Sequence, residues 1–145
     1  MSIVQGTCHS FFQELGQAIH DFDNDTLKIA LYSADADMNP WTTTAYSATN
    51  EVSASGYTAG GASLTSVTWS LYSSYGKGVA YLDAADVAFG VSITARGALV
   101  YNSSKANRAI AILDFGASLA KTTFSVVMPD ATFEKALIRI GVAGA

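Results

Sequence analysis

Charged side chains are scarce in this chain of 145 residues. Asp, Glu, Lys and Arg together make up 14% of it, whereas an ordinary soluble domain has about 25%. The net charge is −4, and no run of five like charges occurs. This argues against a nucleic-acid partner, because such partners are bound through a surplus of Lys and Arg. Half of the chain is apolar, so the composition predicts a protein that works through shape and contact.

Cysteine and long apolar runs are also nearly missing. Cys8 is the only cysteine, so no disulfide can form within the chain, and a disulfide-stapled secreted framework is excluded. No apolar run approaches the roughly 20 residues that span a bilayer, and the first residues do not resemble a signal peptide. We therefore expect a protein without a membrane partner that is made and folds in the cytoplasm.

The sequence shows no set of residues with catalytic spacing. His20 precedes Asp21, and Cys8 precedes His9, but neither pair is accompanied by the third group that nucleophilic catalysis needs. We expect both histidines at the surface. The sequence therefore predicts neither an enzyme nor a bound cofactor.

One acidic segment resembles the start of a calcium loop. Asp21, Asp23 and Asp25 alternate, but Thr26 and Tyr32 stand where an EF-hand requires Gly and Glu. A turn that ends a helix is the favoured interpretation. No metal ion is expected.

A single helix is predicted over residues 9–22, with Ser10 as its N-cap. Glu14 and His20 fall outside its apolar stripe. The stripe consists of Phe11, Phe12, Leu15, Ile19 and Phe22.

About eight strands are predicted after the helix, because the apolar period changes from three or four to two. In residues 64–72 the core face should include Trp69 and Leu71. In residues 92–101 a single face should run from Ile93 to Tyr101. The predicted strands cover residues 27–32, 64–72, 79–82, 86–89, 92–101, 108–115, 123–128 and 136–142, with a hairpin turn at 75–78. This spacing is typical of an antiparallel β-sandwich, jelly-roll-like, spanning residues 9–142 after an N-terminal arm of residues 1–8.

Large rings in predicted loops and turns are candidate interface residues. Trp41 follows Pro40, and Tyr72 and Tyr75 flank the hairpin turn. Exposed rings are common anchors for a protein or sugar partner. The alternative is that each ring is tucked under the loop that carries it.

Two arginines and two aspartates are predicted in or beside strands among apolar residues. Because an unpaired charge in a low-dielectric interior is costly, we expect Arg96 or Arg139 to pair with Asp83 or Asp114. The alternative is that an arginine bonds to a neighbouring subunit.

Several segments resemble a group of small virion proteins of tailed bacteriophages. They are residues 20–22, 26–32, 44–46, 50–52, 56–61, 93–102, 113–116 and 138–140. The resemblance implies a structural protein of the particle, best placed as a capsid decoration (cement) protein on the capsid surface. Such a protein would bind the major capsid protein and form a homo-oligomer. Tail or neck placement stays open, and a receptor- or carbohydrate-binding β-sandwich is the alternative. The resemblance implies no catalytic residue.

Overall fold

The protein is mainly antiparallel β-structure with one short helix near the N-terminus. The computed structural model describes residues 2–132 and 134–142. Its elements, in chain order, are β1 (Gly6–Thr7), α1 (His9–Gly16), β2 (Leu27–Tyr32), β3 (Ala62–Ser63), β4 (Thr68–Ser74), β5 (Lys77–Asp83), β6 (Val87–Ala88), β7 (Ile93–Asn102), β8 (Arg108–Lys121), β9 (Ser125–Val126) and β10 (Ile138–Val142). The predicted mainly β fold with an N-terminal helix is confirmed.

The strands form three antiparallel sheets. The largest has the order β1-β8-β7-β2-β3, the second has the order β10-β5-β4, and the third pairs β6 with β9. β4 and β5 form the predicted hairpin, in which Ser74 lies opposite Lys77 across the turn. The strand predicted over residues 27–32 is found as β2.

The main core lies between the largest sheet and the two smaller ones. It contains Ile29 of β2 and Val100 of β7 from the large sheet, together with Leu82 of β5, Val126 of β9 and Ile138 of β10. All of them are at most 4% exposed. Burial of branched apolar side chains from all three sheets gives the sandwich-like arrangement that strand spacing favoured.

The other face of the large sheet is also buried, and this explains why β2 has almost no polar residues. A second cluster joins Ala30 and Tyr32 of β2 to Ile3, Cys8 and Met38. The N-terminal segment and the loop after β2 cover this face. Residues 2–8 therefore lie against the sheet instead of forming a separate arm, and Gly6 pairs with Ile112 of β8. Met1, the first residue of the predicted arm, lies outside the described residues.

A bulge in β7 and β8 overturns the single face predicted for residues 92–101. The pairing shifts between Ala95 and Gly97. Ile93 and Ala95 face the main core, but Leu99 and Tyr101 belong to the second cluster on the opposite side. Because the side-chain period of a strand is two, one extra residue moves all later side chains to the other face.

The helix ends six residues earlier than predicted. The Ile19 N–H donates to Glu14 O and the Ala18 N–H to Leu15 O, both at 3.1 Å. These are the two bonds of a Schellman motif, with Ala18 at the left-handed position, φ 56°. At the other end, Cys8 is the N-cap and no side chain caps the helix, so the expectation for Ser10 is wrong.

Residues 64–72 also depart from the predicted strand, which begins at Thr68 instead. Leu64 is buried, whereas Leu71 is 70% exposed, although it was assigned to the core. The chain takes a positive φ of 52° at Ser66. This break interrupts the alternation on which the prediction depended.

Candidate functional site

Arg96 pairs with Asp114, one of the combinations that the sequence predicted. Arg96 Nε donates to Oδ1 at 2.8 Å and Nη2 donates to Oδ2 at 3.2 Å. The two side chains are 31% and 24% exposed. The hydrogen bond from Arg96 and the Gly116 N–H lower the pKa of Asp114 below its usual value. The pair lies beside the bulge, so it has a clear structural role.

Arg139 and Asp83 do not take part in a similar pair. Arg139 is exposed and donates to the backbone carbonyl of Glu134. Within the described part of the chain, Asp83 forms no ion pair with either arginine. Asp83 ends β5 opposite Thr68, whereas Arg139 lies opposite Tyr81 on the other side of that strand.

The three predicted interface rings lie on two different elements. Trp41 is 60% exposed in the loop after Pro40, and Tyr75 is fully exposed at the tip of the β4–β5 hairpin. Tyr72 is half-buried within β4. The hairpin thus brings Tyr72 and Tyr75 together but leaves Trp41 elsewhere. The sequence pointed to these rings and missed Leu71, which is exposed on the same hairpin.

Phe12 is a further exposed apolar residue, on the helix whose first residue is bonded to the loop of Trp41. It is 49% exposed on α1. The N–H of His9, which begins that helix, donates to Pro40 O at 2.8 Å, so the loop that carries Trp41 is fixed against the helix start. We call Phe12 and Trp41 the helix–loop surface, and Leu71 and Tyr75 the hairpin surface.

A partly buried ionic cluster contradicts the surface position expected for His20. The His20 side chain is fully buried, and its Nε2 lies 3.6 Å from Glu14 Oε1. The Arg108 Nη1 donates to Glu14 Oε2 at 2.6 Å. Burial lowers the pKa of His20, although Glu14 opposes this. His9, by contrast, is exposed.

The acidic turn continues this cluster. The Asn102 carboxamide nitrogen donates to Asp25 Oδ2 at 2.7 Å and lies 3.1 Å from His20 Nδ1. Lys105 Nζ lies 3.6 Å from Asp25 Oδ1. Asp25 therefore ties the segment after the helix to the end of β7. Residues 21–25 do form a turn, but this turn does not end the helix as predicted, because the helix already ends at Gly16. No pattern in the sequence connects residues 14, 20, 102 and 108, which are far apart in the chain.

A second polar cluster fastens the long loop after β2 to the sheet. The carboxylate of Glu51 accepts hydrogen bonds from Tyr46 Oη at 2.6 Å, Tyr57 Oη at 2.7 Å and the Gly60 N–H at 2.8 Å. Tyr101 donates to Gly60 O at 2.6 Å and stacks on Tyr46. Burial, followed by the hydrogen bond to Glu51, raises the pKa of Tyr46 to about 12. Three neutral donors thus surround one carboxylate and hold the loop in place.

An open cleft of about 460 Å³ lies under the same loop. Its lining includes Asp37, Thr44, Tyr46 and Asn50. These are hydrogen-bonding groups beside an aromatic ring, a mixture suited to a small polar ligand. Trp41 immediately precedes the lining residue Thr42.

The buried cysteine is not activated as a nucleophile. Cys8 is fully buried, and burial followed by the charge of Glu14 raises the pKa of its thiol to about 12. A thiol of this kind stays protonated and unreactive near neutral pH. Among the described residues, no three His, Cys, Asp or Glu side chains are grouped to hold a metal ion. The helix found in the described part of the chain is too short to cross a membrane.

Comparison with known proteins gives no relative. No protein-family model matches the chain, and no curated protein and no solved structure matches it significantly.

Proposed function

We propose that this chain is a structural protein of a tailed-bacteriophage particle, acting as a capsid decoration protein that bridges major capsid subunits. The observation that carries the proposal is the presence of exposed apolar side chains on two different elements, the helix–loop surface and the hairpin surface. A bridging protein needs two contact regions, and exposed aromatic residues are common anchors in such contacts. The sequence resemblance to small virion proteins supports the same role.

The low charge of the chain suits this role. Charged groups that are covered by a partner lose hydration, and this loss is costly unless each charge is paired. With 14% charged residues, the protein loses little hydration when it lies against a shell. A protein that binds many identical subunits also raises the stability of the shell by mass action, because it binds the assembled form.

The copy number in purified particles tests the placement. Quantitative mass spectrometry should find hundreds of copies for each particle, in proportion to the major capsid protein. A dozen copies or fewer would move the protein to the tail or neck. Its complete absence from the particle would overturn the proposal.

Rebinding to shells that lack the protein tests the helix–loop surface. Trp41→Ala should lower the amount bound, because the exposed indole is the largest apolar group on that surface. Val127→Ala serves as the matched control, since Val127 is also exposed but belongs to neither surface. Equal binding by the two variants would exclude the helix–loop surface as the shell contact.

A receptor- or carbohydrate-binding role is the second candidate, and the cleft near Trp41 favours it. Rings beside hydroxyl and carboxylate groups are a common lining for polar ligands. Binding to a glycan array that is lost in both Trp41→Ala and Asp37→Ala would support this role. The absence of any glycan ligand, together with localisation on the shell by electron microscopy, would exclude it.

A further inference from the structure

One strand edge in this fold is regular and unprotected. β4 is the outermost strand of its sheet, and no strand of the described residues pairs with its outer side. Its register with β5 runs without a shift from Thr68 opposite Asp83 to Ser74 opposite Lys77, so no bulge bends it away. The strand reads TWSLYSS and contains neither proline nor a charged residue, which are the usual protections of an edge.

The other sheet edges in the described residues are short or charged. β1 and β3, which end the largest sheet, have two residues each, as do both strands of the smallest sheet. Beyond β1, the outer side of β8 is interrupted by the bulge and carries Asp114 and Lys121. β10, the opposite edge of the β4 sheet, carries Arg139 and Gly141. β4 is therefore the edge best suited to accept another strand.

The hairpin determines which backbone groups of β4 face outward. In a hairpin with a two-residue turn, the residues that flank the turn form a hydrogen-bonded pair, and the pattern then alternates along the strands. Ser74 and Lys77 flank this turn. The alternation therefore directs the N–H and C=O groups of Trp69, Leu71 and Ser73 towards the open side.

We propose that two copies of this chain pair antiparallel through β4, about a two-fold axis that passes between their Leu71 residues. In this register the outward backbone groups of Trp69 meet those of Ser73 of the partner subunit, and Leu71 meets its own copy. All the outward groups of the three residues then have partners. The two sheets become one continuous six-stranded sheet.

The side chains of β4 match a second copy in this register. Each large ring lies opposite a serine, since Trp69 faces Ser73 of the partner subunit and Tyr72 faces Ser70 of the partner subunit. No charges of the same sign are opposed within the strand. At each end, the Lys77 end of one hairpin lies at the same level of the sheet as the Asp83 end of the other, about 14 Å away across the two β4 strands, so no charges of the same sign face each other there. This self-complementarity favours a second copy over an unrelated chain.

The isolated protein is sufficient for the test, which makes its outcome independent of the virion role. Sedimentation equilibrium up to millimolar concentration should show a monomer–dimer equilibrium. Leu71→Lys places two ammonium groups opposite each other and should weaken the dimer by at least about tenfold. Val127→Lys adds the same charge at another exposed position and should leave the dimer unchanged. A monomer at all concentrations would overturn the proposal.

Cross-linking tests the register itself. Opposed residues of a hydrogen-bonded antiparallel pair have Cα atoms about 5.5 Å apart, which a disulfide can join. Oxidised Leu71→Cys should therefore give a covalent dimer, whereas Val127→Cys should not, and the native Cys8 is buried. A wild-type dimer that survives Leu71→Lys, together with no cross-link in Leu71→Cys, would place the interface elsewhere and overturn the proposed β4 pairing.

Discussion

Arg96 and Asp114 form a two-point ion pair where β7 and β8 change register. Gly97 lies opposite Asp114, but Ala95 lies opposite Leu119, so β8 has more residues than β7 between these pairs. The Asp114 carboxylate also accepts the Gly116 N–H at 2.9 Å, and Gly116 takes a positive φ of 84°. The ion pair thus fixes the first turn of the bulge.

Removal of this carboxylate should destabilise the protein more than removal of the arginine. Asp114→Ala removes both the ion pair with Arg96 and the hydrogen bond from the Gly116 N–H, whereas Arg96→Ala removes only the ion pair. Urea unfolding should give the lowest midpoint for Asp114→Ala. Because both side chains are partly exposed, the effect of Arg96→Ala should shrink in about 1 M salt. Equal midpoints for the two variants would mean that the carboxylate does not hold the bulge.

Ala18→Gly should stabilise the protein by about 0.5–1 kcal/mol. The left-handed φ of Ala18 is unfavourable for a residue with a Cβ atom, and glycine removes this cost. Chemical denaturation measures the gain. The matched control is Ala120→Gly, at an exposed position inside β8, where glycine should destabilise instead. A loss of stability in Ala18→Gly would contradict the proposed helix end.

Gly61→Ala should cost about 3 kcal/mol or more. Gly61 has φ 79°, and a Cβ atom there would lie 1.8 Å from the backbone oxygen of Ile29, so β2 would have to move. Gly76, with φ 75°, has open space around the same position. Gly76→Ala should therefore cost only the backbone strain, about 1–2 kcal/mol. Thermal or urea unfolding measures the loss of stability in the two variants. Equal losses would disprove the close approach of Gly61 to Ile29.

Stability should fall as the pH rises from about 10 to about 12. Tyrosines of the unfolded chain ionise near pH 10, whereas Tyr46 in the fold holds its proton until about pH 12. Over this range the unfolded state has lost a proton that the folded state keeps, so the free energy of unfolding decreases, by at most about 1.4 kcal/mol per pH unit for each such tyrosine.

Urea unfolding across that pH range measures the slope. Tyr46→Phe should make it shallower. Tyr75→Phe, which changes a fully exposed ring, should keep the wild-type slope. An unchanged slope in Tyr46→Phe would show that the fold does not raise the pKa of Tyr46.

The predicted strands were most accurate where the local pattern alone determines the structure. β2 and the β4–β5 hairpin follow from alternation and from a glycine turn, and both were found. The face of Leu99 and the end of the helix could not be predicted in the same way. The face of Leu99 depends on a bulge that β7 forms with β8. The helix ends with alanine at the left-handed position, where glycine is expected. Tertiary contacts decided both.

The candidate site was predictable only in part. The exposed rings Trp41 and Tyr75 and the Arg96–Asp114 pair follow from residue type and position. The Glu14–His20–Arg108 cluster does not, because its members come from segments that meet only in the folded sheet. The hydrophobic stripe of the predicted helix even placed Glu14 and His20 on the wrong side.

The pairing of Gly6 with Ile112 has a consequence for synthesis. The first strand gains its partner only after β8 has left the ribosome, and translation proceeds at roughly 5–20 residues each second. During roughly 5–20 s the N-terminal segment therefore exists without the strand on which it rests. A nascent chain halted before β8 should expose Ile3 and Phe11 to chaperones, and the large sheet should close only after β8 has emerged.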